Sequence, residues 1–326
     1  MVVWVVVHAR HRLLHPVIAV LVLASIGGGY EKAAEAADAT AYPMPGQLID
    51  VGGHRLHLNC TGAGSPTVVL EPGGGAMSSN LGWITPGVAR GTRVCVYDRA
   101  GRGWSEPADS AQDGVQIATD LHTLLHRGHV PGPYVLAGHS FGGLYVLTFA
   151  ARYPDEVAGM VLIDSTTPSS AAASPGTATS YDLLGRVSAL ISGTARFGLA
   201  RLFDQLIAGS LPPRSQEQVH ARGVTATSVR SAIDEYLHAN AAIAQAAALH
   251  DFGAKPLIVL TAGVGSDAAH RAAQNHLATL STNSVHRTIP GVAHEGMVAE
   301  EKGAAATIRA ILDVVTSVRR GGPLPN

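Results

Sequence analysis

Charge is scarce in this chain. Of its 326 residues only 14% are Asp, Glu, Lys or Arg, and 23 basic residues stand against 24 acidic ones. No long basic run occurs, which argues against a nucleic-acid partner held by charge. Cysteine is scarcer still. Cys60 and Cys95 are the only two, too few for a disulfide framework or a CxxC metal knuckle. What the chain does have is apolar: 46% of its residues are hydrophobic. That composition excludes general disorder. The length suits one large domain, or a core with an insertion. The 16 histidines are more than the rest of the composition leads one to expect, and they raise the question of a metal.

Residues 1–41 read as a targeting segment, either a signal peptide or a membrane anchor. Arg10 and Arg12 precede an apolar run from Val17 to Ile26. The run is short for a spanning helix, which needs about 20 apolar residues. Counted back to Leu13 it approaches that length, and Glu31–Ala37 can extend the same helix. Small-residue cleavage sites such as Ala37-Asp38-Ala39 are available. Positive residues before the run and acidic ones after it place the rest of the chain outside the cytoplasm. An uncleaved anchor is the preferred reading, with secretion after cleavage as the alternative. Either way the two cysteines meet an oxidising compartment.

The texture changes after Pro43-Met44-Pro45-Gly46. Gln47–Val51 and His54–Asn59 read as a hairpin around Gly52-Gly53. Further strands are expected at Pro66–Leu70, Thr92–Tyr97, Tyr134–Ala137, Val157–Ile163, Pro256–Leu260 and Val285–Ile289. Helical spacing marks Val115–Arg127, Gly143–Arg152 and Thr307–Val318. Strands alternating with helices imply βαβ units and a mostly parallel sheet, here of eight strands. Strand signals stop between Asp164 and Lys255. Helical patterns at Tyr181–Ile191, Phe197–Ile207 and Ala226–Leu249 fill that gap, which is too long for a structureless loop. The expected organisation is a core at 42–164 and 256–326, with a helical cap inserted at 165–255.

The most informative stretch is Gly138-His139-Ser140-Phe141-Gly142, set between a strand and a helix. A nucleophile on such a turn is exposed at the strand's end, and the residues two before and two after it must be small to pack together. The helix that follows favours developing negative charge at its N-terminus. Ser140 is therefore the candidate nucleophile. Phe141, the next residue, supplies one oxyanion N–H. The second is expected from Glu71-Pro72-Gly73-Gly74-Gly75, with Gly74 as the donor. A phosphate-binding loop is excluded there, because no Gly-Lys-Ser/Thr ending follows.

A serine needs a base. His294, in a loop between a short strand and the last helix, stands where the order Ser…acid…His puts it; His286 falls inside the strand. Two aspartates compete for the acid, both at C-terminal ends of strands. Asp164 ends the strand after the elbow helix and is preferred. Asp267 is the alternative, although its position before a helical stretch also fits an N-cap. His122 and His126 are four apart on a helix, yet no HExxH glutamate follows His122. His54 and His57 lack a third ligand. No metal and no cofactor is expected.

These motifs resemble the α/β-hydrolase fold superfamily, and within it capped bacterial serine hydrolases with an N-terminal hydrophobic segment. The residues that carry the likeness are Leu70–Gly75, Tyr97-Asp98-Arg99-Ala100-Gly101-Arg102-Gly103-Trp104-Ser105, Gly138–Gly143, Leu162–Ser165 and Gly291-Val292-Ala293-His294. Together they run through 47–318. In such proteins the Asp98–Ser105 turn is structural. Where many relatives have His-Gly after the third strand, this chain has Pro72-Gly73. The family takes its acid from either of two strands, so Asp164 and Asp267 both stay open. Its strand order makes the strands holding Cys60 and Cys95 neighbours, which implies a disulfide.

The expected activity is hydrolysis of a carboxylic ester or similar acyl bond through a Ser-His-Asp triad and an acyl-enzyme, on a small uncharged or apolar substrate. Epoxide hydrolases and haloalkane dehalogenases of this fold use an aspartate nucleophile, against which Ser140 argues. Alternatives are a proline-releasing aminopeptidase, with Glu217, Asp234 or Glu235 as amine anchor, a cofactor-free peroxidase-like enzyme, and a catalytically inactive binding protein.

Overall fold

The computed structural model describes residues 2–168, 192–204 and 210–325. Helix α1 (Val2–Ala41) comes first. Its part from His15 to Ala41 is long and apolar enough to cross a membrane. Eight strands follow: β1 (Gln47–Asp50), β2 (Arg55–Thr61), β3 (Thr67–Glu71), β4 (Val94–Tyr97), β5 (Tyr134–His139), β6 (Val157–Ile163), β7 (Leu257–Ala262) and β8 (Ser284–Ile289). They form one sheet in the order β1-β2-β4-β3-β5-β6-β7-β8. The β1–β2 and β2–β4 pairs are antiparallel and the rest are parallel. Cys60 on β2 lies opposite Cys95 on β4, and the two form a disulfide.

The helices of the sheet domain are α2 (Ile84–Ala89), α3 (Gly114–Arg127) and α4 (Phe141–Arg152). Between β6 and β7 run α5 (Leu199–Asp204), α6 (Pro213–Gly223), α7 (Ala226–Leu237) and α8 (Ala239–Ala246), and after β7 come α9 (Ala268–Ala278), α10 (Gly296–Ala299) and α11 (Glu301–Arg320). Two apolar clusters cover the sheet's two faces. One gathers Leu121, Leu124, Leu136, Leu144 and Phe149. The other gathers Val68, Val135, Val161, Ile258, Ile311 and Val314. The central strands β3 to β7 are buried on both faces, and so their sequences are unbroken apolar runs.

Element boundaries differ from expectation where chemistry other than periodicity decides. The helical run expected at Ala226–Leu249 divides at His238, whose Nδ1 and backbone N both approach the carbonyl of Asp234. Helix α11 begins six residues before Thr307, in a glycine-alanine stretch that shows no large apolar period; a Cβ at Gly303 would stand 2.7 Å from the carbonyl carbon of Gly296. The pattern at Tyr181–Ile191 lies outside the described residues. Of the one at Phe197–Ile207, the structure describes α5.

Candidate active site

Ser140 is the single residue between β5 and α4, with φ 54° and ψ −122°. A serine rarely adopts that conformation, and it persists only when the surroundings over-determine it. They do so here. The Ser140 N–H donates to the Ile163 carbonyl at 3.1 Å, and the Ser140 carbonyl accepts from Gly143 N and Thr166 N. The flanking glycines leave no space. A Cβ at Gly138 would stand 2.5 Å from the Gly142 carbonyl oxygen, and one at Gly142 would stand 2.5 Å from the Glu71 carbonyl oxygen. The elbow therefore depends on its two glycines for a steric reason.

Phe141 opens α4, so its N–H has no partner within the helix. Gly74 packs on it, with a hypothetical Cβ 3.0 Å from the Phe141 ring. The neighbouring Gly75 N–H is taken: it donates to Glu235 Oε2 on α7 at 2.7 Å. Gly73, Gly74, His139 and Ser140 line a cavity of about 70 Å³ with Tyr236 of α7 and Glu295. A larger cavity, about 1230 Å³, lies between Gly28–Glu35 of α1, the chain around Ala108–Gln112 and α7. None of the candidate catalytic residues lines it.

The loop after β8 carries His294. Its Nδ1 donates to Asp164 Oδ2 at 2.6 Å. That bond fixes the tautomer and leaves Nε2 as the basic nitrogen. His139 Nε2 donates to the His294 carbonyl at 3.2 Å, which pins the base beside the residue preceding Ser140. Burial, with His294 close by, pushes the His139 imidazole down to about 3, so it stays neutral. The hydrogen bond to Asp164 outweighs burial at His294 and raises its pKa. Burial would raise Asp164, but hydrogen bonds from His294, His270 and the Ala262 N–H prevail and hold it well below the usual carboxylate range.

Asp164 stands at the end of β6 with φ 43°. Asp267 is elsewhere engaged: it caps α9, its Oδ1 accepting the His270 N–H at 2.7 Å. The structure thus brings Asp164 and His294 together and leaves Asp267 at a helix end. One residue escaped sequence reasoning. His270 Nε2 donates to Asp164 Oδ1 at 2.8 Å. Its only sequence signal is its place three residues past Asp267, in the stretch after β7 already searched for an acid.

Beneath the Gly73–Gly75 loop lies a buried ionic cluster. Arg99 Nη1 donates to Glu71 Oε1 at 2.5 Å and to the Pro72 carbonyl at 2.9 Å. Its Nη2 reaches the Gly73 carbonyl at 2.6 Å and Glu235 Oε2 at 3.0 Å, and its Nε reaches Glu235 Oε1 at 2.8 Å. Tyr97 donates to Glu71. Burial pushes the Glu71 carboxyl up to about 7 despite these partners. Glu235 is thereby committed to Arg99 and Gly75, and Asp234 is paired with Arg230.

Several other histidines find local partners. His57 lies 2.8 Å from Asp98 and donates to the Pro45 carbonyl, His54 faces Asp120, and His286 bonds Thr261 and Asn275. Among the described residues one group has donors at metal-ligand spacing: His122, His126 and Glu156. Glu156 comes from beyond α4, which a search for HExxH could not reveal. Both imidazoles bond its carboxylate, and His122 also stacks on Tyr153 at 4.1 Å.

The alpha/beta hydrolase fold family model matches residues 66–237. A 2-hydroxymuconate semialdehyde hydrolase of Pseudomonas sp. is 30% identical over 125 residues, 38% of this chain and 44% of that protein. The matched stretches span only 18% to 44% of the length of the curated relatives. Among solved structures, the Cif epoxide hydrolase from Acinetobacter nosocomialis superposes with a TM-score of 0.69 at 14% identity, over 87% of this chain and 96% of that one. A thermophilic esterase from Thermogutta terrifontis gives 0.63 at 21%, over 82% and 99%. At such identities these structures speak for the fold alone.

Proposed function

The chain belongs to the α/β-hydrolase fold family, and from that premise we propose that it is a serine hydrolase cleaving a carboxylic ester or similar acyl bond. The observation that carries the reading is the Ser140 turn, held at positive φ between Gly138 and Gly142 with the His294–Asp164 pair beside it. His294 Nε2 takes the hydroxyl proton as Ser140 Oγ attacks the acyl carbon. The Phe141 and Gly74 N–H groups receive the oxyanion. The imidazolium, steadied by Asp164, returns the proton to the departing alkoxide. A water then repeats the sequence on the acyl-enzyme and frees the acid.

An aspartate-nucleophile mechanism, as the family's epoxide hydrolases use, lacks its nucleophile at position 140. The aminopeptidase reading loses Glu235 as an amine anchor, because that carboxylate is bonded to Arg99 and Gly75. The segment 165–255 serves as a cap, with Tyr236 reaching the Ser140 cavity. Labelling with a fluorophosphonate probe tests the whole reading. Wild type should label and turn over a short-chain ester, and Ser140→Ala should do neither. Equal labelling of the two would overturn it.

The protein acts outside the cytoplasm, held by an uncleaved α1. Val17–Ile26 expose their apolar side chains, as a lipid-facing helix does. The helix then continues onto the segment between β6 and β7. There Arg201 pairs with Glu31 at 3.2 Å and Asp38 at 2.8 Å. Cleavage near Ala37–Ala39 would remove Glu31 from a buried pair, which is costly. Mass spectrometry of the membrane fraction should find the chain with its first 41 residues; a soluble product starting near Ala39 would refute the anchor.

A further inference from the structure

Both oxygens of the Asp164 carboxylate are held, and by different elements. Oδ2 accepts from His294 Nδ1 at 2.6 Å. Oδ1 accepts from the backbone N–H of Ala262 at 3.0 Å and from His270 Nε2 at 2.8 Å. The carboxylate is thus shared by two imidazoles, of which the proposed reaction uses only His294.

The placement of His270 is set by its own helix. Asp267 caps α9 by accepting the His270 N–H at 2.7 Å, which orients the first turn. Asp164 is 3% exposed, whereas the His270 side chain is 32% exposed. The carboxylate is dry, yet its second imidazole can exchange protons with solvent. The titratable groups that face His270 are Asp164 at the end of β6 and His286 on β8. Asp267 lies on its own helix, and His294 sits on the other oxygen of Asp164. Burial, together with His270, pushes the His286 imidazole down and so disfavours a charge there, which leaves Asp164 as the main facing charge.

We propose that His270 is a positioning residue for the His294–Asp164 pair, locking the plane of the carboxylate and, when protonated, drawing on its charge so that His294 becomes a weaker base. The inference rests on the reading of Ser140 and His294 as a hydrolytic site. The physical argument has two parts. Without His270 the Oδ1 oxygen keeps only the Ala262 N–H at 3.0 Å, the longest of the three bonds, which holds the plane less firmly, and small misplacements of a catalytic group are expensive. A charge gained by the His270 ring, on protonation of its Nδ1, acts across a buried carboxylate, where screening by water is weak.

Two variants separate the roles. His270→Gln keeps a donor that does not titrate, and His270→Ala removes the donor. The readouts are the titration of the His294 imidazole by 15N NMR and the pH dependence of kcat/KM on a short-chain ester. In wild type a proton on His270 opposes one on His294. The His294 midpoint should therefore rise in His270→Gln, by roughly half a unit or about threefold in proton affinity. His270→Ala should lose about tenfold in kcat with little change in KM, and His270→Gln should recover part of that loss. Identical His294 titrations in all three proteins would overturn the proposal. So would equal kcat in the two variants. The NMR titration needs no turnover. If the fluorophosphonate test fails while the His294 midpoint still moves, the hydrolase reading falls and the coupling of the two histidines stands.

Discussion

Glu235, on a helix between β6 and β7, accepts the backbone N–H of Gly75 at 2.7 Å, in the loop that is to hold the oxyanion. The same carboxylate bonds Arg99, which in turn bonds the carbonyls of Pro72 and Gly73. One side chain from far along the sequence thereby fixes the direction of the loop's peptides.

The first prediction concerns this cluster. Arg99→Ala leaves two buried carboxylates, Glu71 and Glu235, without their cation. Breaking a buried pair from one side costs about 3–5 kcal/mol. A thermal melt should show a large fall in Tm, and ester turnover should drop with it. A Tm within a degree or so of wild type would show that the cluster does not hold the loop.

The second separates the two aspartates. Asp164→Asn removes the carboxylate that orients His294 and should lower kcat by about 10³–10⁴. Asp267→Asn touches only the cap of α9, and Asn caps about as well as Asp. Its kcat should stay near wild type. The reverse order on a short-chain ester would move the acid to Asp267.

The third is a pH dependence. His294 must be neutral to act as base, and its pKa is raised, chiefly by its hydrogen bond to Asp164. The acid limb of kcat/KM should therefore lie above the ordinary histidine value of about 6.5. Stability runs the other way at this residue. A raised histidine stabilises the fold fully below its unfolded value and loses that contribution as pH rises through the folded one. Asp164 is depressed, so its contribution is present above about 3.9 and is lost as pH falls through the folded value. An acid limb below pH ~6 would contradict the His294–Asp164 arrangement.

The fourth concerns Cys60 and Cys95, 35 residues apart and disulfide-bonded. Closing a loop of that length removes unfolded-state entropy worth about 3–4 kcal/mol. Reduction, or replacement of both by serine, should lower Tm by an amount matching that loss. An unchanged Tm in the presence of reductant would show that the bridge adds nothing to stability.

Much of the fold was legible because its causes are local. Central parallel strands need apolar runs, and the chain shows them at β3 to β7. The elbow was legible for the same reason, since Gly138 and Gly142 are small where no other residue fits. Cys60 and Cys95 needed the family's strand order before they could be read as partners. Helix α6 escaped, because Pro213–Gly223 is mostly polar and offers little apolar period. The role of Glu235 was invisible too. It depends on a helix between β6 and β7 meeting a loop after β3. His270 reaches Asp164 only because β7 lies parallel to β6, with Ile163 opposite Leu260. Nothing in its neighbours along the chain records that register.

The chain order of the site has a consequence for how the protein is made. Asp164 and His294, which touch in the folded protein, lie 130 residues apart. On the proposed topology the anchor enters the membrane first, and the rest of the chain emerges behind it. Ser140 and Asp164 then reach the far side long before His294 does. On the proposed reading of the site, the serine has no base until β8 and the loop behind it have crossed, and a chain stopped short of them would carry a nucleophile that cannot attack.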